Sequence, residues 1–195
     1  MTGRDILKIT FTLVVIYLIG GAILAAVYAK TSPIIFVNNE KAKQKALQNL
    51  IAGATFEKLG DWTIHDKHAE YYAAKQGGEV VGYVVQSFGK GYSSYINTLI
   101  AVDKDLKILK IDILAHAETP GLGDEIETPQ FKGQFVGKGM EQMKIVKTET
   151  PEYVQAITGV TISSRAVTED AAKNGLAFLS KALKGGAEDH VTGKH

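Results

Sequence analysis

The chain has 195 residues, which is long enough for one membrane segment and one domain with a core, but too short for two large domains. Its 22 basic and 21 acidic residues give a net charge of +1 and are spread along the chain, so nothing indicates a nucleic-acid partner. It has no cysteine, which excludes disulfides, thiolate metal sites, cysteine-ligated iron–sulfur clusters and cysteine nucleophiles. Any redox chemistry would therefore need a cofactor that does not depend on thiols.

The N-terminal part of the chain contains a long uncharged stretch between Lys8 and Lys30. As a helix, residues 9–29 would span roughly 30 Å, about the thickness of the hydrocarbon core of a bilayer. We therefore predict a membrane anchor over residues 1–30, in contact with the lipid bilayer. The alternatives are a cleaved signal peptide, which usually has a shorter apolar run and a clear cleavage site, and a buried helix of a soluble protein. Basic residues lie on both sides of the stretch, so charge does not determine its orientation.

We predict one α+β domain over residues 31–184 and a disordered tail over the polar residues 185–195. Pro33 is expected to end the anchor helix. Residues 40–51 then have the spacing of an amphipathic helix, with its apolar face formed by Ala42, Ala46, Leu47, Leu50 and Ile51. From Gly60 onward the pattern favours strands, and Gly77 and Gly78 lie between two of them as the turn of a hairpin.

The remaining strands are joined by short turns, which favours a largely antiparallel sheet. Strands are predicted at 70–75, 79–88, 93–102 and 106–115, with a turn at 103–105, and a short strand is predicted at 143–146. Residues 116–123 are predicted to be a loop, residues 125–139 irregular, and residues 151–156 a short helix. A long helix is predicted over 164–183, with Val167, Ala171, Leu176, Leu179 and Leu183 on one face and a stop at Gly185 and Gly186.

Two loops have the residues to carry chemistry. The first, at 158–164, reads Thr-Gly-Val-Thr-Ile-Ser-Ser and precedes the long helix. Gly159 permits an unusual backbone conformation, and Ser163 and Ser164 are good helix N-cap residues. The free N–H groups and positive dipole end of such a helix favour an anion, so a phosphate on Thr161 would be stabilised there. The alternative from these residues alone is ordinary helix capping.

The second loop, at 118–124, reads Glu-Thr-Pro-Gly-Leu-Gly-Asp. Pro120 fixes one backbone dihedral, and the glycines on either side of Leu122 remove side chains. The loop is therefore expected to approach a flat ring closely, with N–H groups free to bond the ring heteroatoms. The alternative is an ordinary Pro-Gly turn.

Taken together, these segments resemble the FMN-binding domain of the Rnf and Nqr respiratory complexes, and most closely the G subunit of the Rnf complex. The matching features are the uncharged N-terminal span, the segment 82–102 with its glycines at 89 and 91, and the runs HAETPGLG at 116–123, QFKGQF at 130–135 and TGVT at 158–161. The similarity covers nearly the whole chain. Two positions depart from the family pattern, since Val160 replaces a usual alanine and Gln155 stands where an aspartate is common.

The resemblance implies one FMN, transferred from FAD by a dedicated flavin transferase and joined by a phosphoester to Thr161. No paired-carboxylate or nucleophile-base arrangement is found in the sequence, so no catalytic residue and no metal are expected in this chain. The expected cofactor-binding residues are Thr161, Thr158, Gly159, Ser163, Ser164, Glu118, Thr119, Gly121, Leu122 and Gly123. Residues 52–55 resemble the attachment element weakly, but they lack its first hydroxyl residue and a serine-containing helix start.

Histidines offer weaker candidates. His65 and His68 have a spacing that would suit a metal on a helix, but the surrounding residues predict a strand and turn, and so a solvated pair. His116 adjoins the second loop and would either tune a flavin or have a structural role. Glu169 and Asp170 are expected to favour the dipole of the last helix.

The function implied by the resemblance is electron transfer. The chain would be a membrane-anchored flavoprotein subunit of an ion-translocating ferredoxin:NAD oxidoreductase, partnered by the other subunits, with its domain outside the cytoplasm at the inner membrane. It would not turn over alone. The alternatives are a tethered binding module without a redox role, a free-standing extracytoplasmic flavoprotein reductase, and the equivalent subunit of a Na⁺-translocating NADH:quinone reductase.

Overall fold

The computed structural model describes residues 3–189. The chain divides into two compact units, residues 1–43 and 44–195, each of which is considered by itself. The predicted end of the membrane anchor at residue 30 and the predicted end of the α+β domain at residue 184 remain predictions. The final residues of the predicted tail, 190–195, lie outside the described range.

The first element is a single helix, α1, Gly3–Leu50, of 48 residues. The prediction that Pro33 ends the anchor helix is wrong, because Pro33 lies inside α1. A proline inside a helix costs about 3 kcal/mol through one lost hydrogen bond and crowding, which is small against the other bonds of so long a helix. Within the described residues, α1 is the one helix long and apolar enough to cross a membrane, and its apolar window is fully exposed. Of the face predicted for residues 40–51, Ala46, Leu47 and Leu50 are buried.

The predicted antiparallel sheet is confirmed. Its five strands pair in chain order, each antiparallel to the next. They are β1 Thr55–Ile64, β2 Lys67–Gln76, β3 Glu79–Lys90, β4 Tyr95–Val102 and β5 Ile108–Ala115. Gly77 and Gly78 have φ of 59° and 91° and form the predicted hairpin turn, which favours glycine at both positions. The first strand starts before Gly60, earlier than the sequence pattern indicated.

The segment between β5 and the last helix is more ordered than predicted. A 3₁₀ helix Gly123–Glu127 and a short helix α2 Pro129–Gly133 occupy part of the region expected to be irregular. Thr128 caps α2 by accepting from the N–H of Phe131, and Pro129 has no N–H that needs a partner there. A further 3₁₀ turn, Met140–Gln142, leads to strand β6, Ile145–Val146.

The short helix predicted at 151–156 is absent, and this segment contains strand β7, Val154–Gln155, parallel to β6. The side chain of Gln134 explains the difference. Its Oε1 accepts from the N–H of Gln155 at 2.7 Å, and its Nε2 donates to the carbonyl of Gln155 at 3.4 Å. Because both backbone groups of Gln155 are satisfied across the fold, a local helix offers them no advantage.

The last helix, called here the C-terminal helix, has three consecutive parts: α3 Thr161–Arg165, a π-helical segment Ala166–Ala172, and α4 Lys173–Asp189. It passes through Gly185 and Gly186, so the predicted stop there is wrong. Four of the five residues of its predicted apolar face are buried, and Leu183 is half-buried. The spacing from Ala171 to Leu176 is five residues, which an α-helix would not keep on one face. Both residues are nevertheless buried, because the wider π turns that end at Ala172 change the angular spacing along the helix.

Within the second unit, both faces of the sheet are covered. On one face, Val85, Ile100 and Ile111 pack with Val167 and Leu176 of the C-terminal helix. On the other, Val84, Leu99 and Ala101 pack with Leu47 and Leu50 at the end of α1. A Cβ built on Gly89 of β3 would lie 1.9 Å from the carbonyl oxygen of Ala166. The C-terminal helix therefore packs directly on the backbone of β3, which fixes where the helix begins.

Candidate functional site

The C-terminal helix begins at Thr161, the residue at which the family resemblance implies the cofactor is attached. The predicted start near Ser164 is therefore too late. Val160 is the N-cap, and no side chain caps this end. Gly159, just before it, has a φ of 81°, a left-handed conformation that glycine adopts without strain. Because the first N–H groups of a helix have no partner within it, this end is open to an anion.

Ser163 and Ser164 lie inside the first turn, contrary to the prediction that they cap the helix. The Oγ of Ser164 donates to the carbonyl of Val160 at 2.8 Å and accepts from the N–H of Ile157 at 3.2 Å. The Oγ of Ser163 donates to the carboxylate of Glu118 at 2.5 Å. Both serines are buried, so they support the backbone around Thr161.

A cavity of about 470 Å³ lies beside Thr161 and is called here the Thr161 cavity. It is lined by seven of the predicted cofactor-binding residues: Glu118, Thr119, Leu122, Gly123, Gly159, Thr161 and Ser163. Thr158, Gly121 and Ser164 are not part of its lining. The structure thus brings the two predicted loops together, although they are separated by more than 30 residues in the sequence.

Three further residues line the cavity and were missed by the sequence reasoning: Tyr92, Val160 and Ile162. Tyr92 is 75% exposed and lies in the turn between β3 and β4. Tyr92 could have been found from the sequence, because it is a large aromatic residue in a turn of glycine and serine that contributes nothing to the predicted core. Ile162 is 51% exposed, and a hydrophobic residue exposed beside a cavity is a common feature of ligand sites.

The loop from Thr119 to Gly123 is a tight turn that uses its own N–H groups. The N–H groups of Leu122 and Gly123 donate to the carbonyl of Thr119 at 3.2 and 2.9 Å. Gly121 has a φ of 70°, which favours glycine. The expectation that this loop offers free N–H groups to a ring is therefore wrong for Leu122 and Gly123. The loop instead presents the half-exposed Leu122 side chain to the cavity.

Glu118 connects the segments of the site. Its Oε1 accepts from the N–H groups of Ser93 at 3.0 Å and Ser94 at 3.4 Å, and its Oε2 accepts from the N–H of Tyr92 at 3.1 Å and from Ser163 Oγ. Burial raises the pKa of this carboxyl, but the hydrogen bonds from Ser163 and from the three N–H groups together hold its pKa below the usual value. The side chain is therefore ionised at neutral pH.

A second cavity, of about 520 Å³, adjoins the first and shares Tyr92 with it. Lys67 and Lys90 contribute to its lining, and the Nζ of Lys67 lies 5.4 Å from the centre of the Tyr95 ring. Tyr92 is common to the walls of both cavities, so its placement shapes each of them.

The histidines have structural partners. The N–H of Glu118 donates to His116 Nδ1 at 3.1 Å, and His116 Nε2 lies 3.0 Å from Glu127 Oε1, so His116 braces the loop. His65 Nε2 lies 2.7 Å from Asp170 Oδ1, and His68 Nε2 lies 3.2 Å from a different carboxylate, that of Asp61. In the part of the chain that the structure describes, no group of three or more potential ligands could hold a metal.

The remaining candidates lie elsewhere. Thr55 begins β1, where its Oγ1 donates to the carbonyl of Lys75 at 3.3 Å, away from the Thr161 cavity. Glu169 and Asp170 lie in the π-helical segment rather than the first turn, and they bind backbone. Glu169 accepts from the N–H of Ile145 at 2.9 Å, and Asp170 accepts from the N–H of Lys90 at 2.8 Å.

Comparisons with known proteins indicate the family to which the chain belongs. A family model described as the FMN-binding domain matches residues 91–177, which include Tyr92, Glu118 and Thr161. The G subunit of the proton-translocating ferredoxin:NAD(+) oxidoreductase complex of Clostridium ljungdahlii is 36% identical over 85% of this chain and 88% of that protein. The G subunit of the ion-translocating oxidoreductase complex of Methanosarcina acetivorans is 32% identical over 91% of this chain and 96% of that protein.

A solved structure supports the fold. The crystal structure of Shewanella oneidensis NqrC has a TM-score of 0.51 and 24% identity, over 64% of this chain and 66% of that one. The two relatives from C. ljungdahlii and M. acetivorans match 85% and 91% of this chain. The chain belongs to the family of G subunits of the ion-translocating oxidoreductase complexes, and it carries that family's FMN-binding domain.

Proposed function

We propose that this chain is the single-pass membrane subunit that relays electrons through FMN in an ion-translocating ferredoxin:NAD oxidoreductase complex of the Rnf type. We further propose that the FMN is joined to Thr161 by a phosphoester. The observation that carries the proposal is the position of Thr161. It lies at the uncapped start of the C-terminal helix, on the cavity that the loop 119–123 also lines.

The residues around the cavity fit such a cofactor. Its volume lies within the range typical of small-molecule sites. The uncapped helix start favours a phosphate, by about 0.3–1 kcal/mol for an exposed anion. Leu122 and Ile162 are 48% and 51% exposed and offer apolar surface that a flat ring would cover. The negative charge of Glu118 is held by four donors, which reduces its repulsion of a phosphate.

The attachment has a simple chemical balance. The Thr161 hydroxyl oxygen would form a bond to the FMN phosphorus of FAD, and the pyrophosphate bond would break with AMP as the leaving group. The hydroxyl proton is lost to solvent or to a base of the transferase. Because the helix dipole supplies too little energy to retain an exposed anion, a covalent bond is a physically reasonable means of keeping the carrier in place.

Bound FMN would supply reversible acceptance and release of electrons. The chain itself would hold the phosphate at Thr161, flank the cofactor with Leu122, Ile162 and Tyr92, and keep the domain at the membrane through α1. The chain has no G-x-G-x-x-G motif, so NAD binding falls to other subunits. Residues 9–29 have no charged side chain, so α1 is not expected to carry the coupling ion.

The attachment is tested by replacing Thr161 in the full chain, co-expressed with the transferase. Thr161→Ala should abolish flavin fluorescence of the band on a denaturing gel, because alanine has no hydroxyl. Thr161→Ser should retain it, and Thr55→Ala should match the unmodified chain. Covalent flavin in Thr161→Ala would show that the site is wrong.

The relay role has its own test. In the assembled complex, Thr161→Ala should abolish ferredoxin-to-NAD electron flow while the subunits still co-purify. Normal electron flow without flavin on this chain would refute the relay and favour a binding module without a redox role.

We also propose that the domain after α1 lies outside the cytoplasm. This is supported by the family membership and by the apolar helix α1, the one helix among the described residues that is long and apolar enough to cross a membrane. Protease added to intact spheroplasts should then remove the domain. Protection of the domain until the cells are lysed would place it on the cytoplasmic side.

A further inference from the structure

The carboxylate of Glu118 lies at the junction of three segments that are distant in sequence. It joins the loop after β5 to the turn between β3 and β4, and it also binds Ser163 in the first turn of the C-terminal helix. These partners lie 25 or so residues before Glu118 and 45 residues after it. Each of the other two segments supplies a residue to the Thr161 cavity, namely Tyr92 and Thr161.

The acceptor capacity of Glu118 is already filled. An ionised carboxylate offers two oxygens with about four lone-pair positions, and four donors occupy them in this structure. Glu118 is only 5% exposed although it lines the cavity. It therefore has no acceptor position left for an N–H of a cofactor, and its charge would repel a phosphate rather than bind it.

We propose that Glu118 is a positioning residue, whose carboxylate joins the β3–β4 turn to the start of the C-terminal helix and so sets the placement of Tyr92 relative to Thr161. The effect on a flavin rests on the function proposed above; the joining of the two segments does not. The sequence reasoning placed Glu118 among the cofactor ligands, and the geometry assigns it a different task.

Two glycines support this assignment. A Cβ built on Gly91 would lie 2.5 Å from Glu118 Oε1, and one built on Gly123 would lie 2.6 Å from Glu118 Cβ. Neither glycine has a positive φ that would require glycine. Glu118 therefore occupies the space that a side chain would need at both positions, and at Gly91 the carbonyl oxygen of Ser94, 2.8 Å from the same Cβ, also limits it.

A second link between these regions lies farther along the helix. Asp170, in the π-helical segment, accepts from the N–H of Lys90 at 2.8 Å. That bond holds the end of β3 to the middle of the C-terminal helix, whereas Glu118 holds the turn to its first residues. Loss of Glu118 should therefore loosen the cavity without releasing the helix from the sheet.

The test uses the full chain in detergent, with Glu118→Gln as the main variant. Glutamine keeps the shape but has one acceptor oxygen, and its NH₂ group faces donors. We expect the amide hydrogens of Tyr92, Ser93 and Ser94 to exchange faster, by a factor on the order of ten or more. Exchange in the buried parts of β3 and β4 should be unchanged. The matched control is Glu125→Gln, which removes the same charge from an exposed residue nearby.

The second measurement is made on covalently flavinylated protein. Glu118→Gln should shift the visible spectrum or midpoint potential of the attached flavin, whereas Glu125→Gln should leave both unchanged. Normal amide protection in Glu118→Gln would overturn the proposal. Faster exchange with an unchanged flavin spectrum and potential would overturn the effect on the cofactor. If the unmodified chain carries no covalent flavin, the proposed function fails, while the exchange result still decides the role of Glu118.

Ser163→Ala covers the case in which Glu118→Gln fails to fold. It removes only the bond between Glu118 and the helix. Exchange of the Ser164 N–H, which donates to the carbonyl of Val160 at 3.0 Å, should then accelerate, while Tyr92, Ser93 and Ser94 keep their protection. Unchanged exchange of the Ser164 N–H would overturn the proposal.

Discussion

Replacing Gly89 with alanine should test how strictly the sheet fixes the start of the C-terminal helix. The added Cβ would meet the backbone carbonyl oxygen of Ala166 at 1.9 Å, whereas ordinary contacts begin at 3.4 Å. Since a backbone carbonyl cannot rotate away like a flexible side chain, the helix or the strand must move by more than 1 Å. We expect a loss of about 2–3 kcal/mol in the free energy of unfolding, in the range of overpacked cores.

This loss corresponds to a fall in melting temperature of about 5–10 °C for a chain of this size, measured by circular dichroism in detergent. Flavin attachment should fall as well, because the displaced helix start carries Thr161. Gly133→Ala is the matched control, since a Cβ there meets nothing within 4 Å and the φ is not positive. A melting temperature for Gly89→Ala within about 2 °C of that control would refute the reasoning.

Three further predictions concern the second unit. Thr98→Val should raise the free energy of unfolding by roughly 1 kcal/mol in a melting experiment. Thr98 Oγ1 is buried without a hydrogen-bond partner among the described residues, and valine has the same shape. A destabilised variant would indicate that a buried water bonds this hydroxyl. Gly121→Val should strain the backbone, which has a φ of 70° at this position, although a Cβ there meets nothing within 4 Å. The strain should displace Leu122 and change the flavin spectrum. An unchanged spectrum would show that the loop does not contact the ring. Because the folded-state pKa of Glu118 lies below its ordinary 4.5, its stabilisation is present above that pH and is lost as pH falls through the lower value. The stability difference between the unmodified chain and Glu118→Gln should therefore shrink in acid, and a constant difference would contradict the ionised state.

The elements that the sequence predicted well are those defined by periodicity. Strands with short turns between them gave the antiparallel sheet, and the paired glycines at 77 and 78 marked the hairpin. The apolar spacing of the C-terminal helix identified its buried face. In each case the hydrophobic pattern and the turn residues indicate the same structure, so the element can be predicted without knowing its distant contacts.

The errors arose where distant contacts outweigh local signals. Pro33 interrupts helix propensity but not α1. Gln155 is held by Gln134 in a strand that no local pattern marks. The hydrogen bonds of Glu118 come from donors in two other segments, whose proximity the sequence does not reveal. Tyr92 was missed for the same reason, since only the folded turn brings it to the cavity.

The π-helical segment has a consequence for how this domain tolerates length changes. Each residue of an α-helix advances the side-chain direction by about 100°. Removing one residue between Ala166 and Ala172 would convert the segment to regular α-helix. Either the apolar residues of α4 or the start at Thr161 would then rotate away from its present position, although every side chain that contacts the cavity would remain. Insertions and deletions at this point should therefore be far less tolerated than substitutions, so homologous chains aligned here should show no gaps.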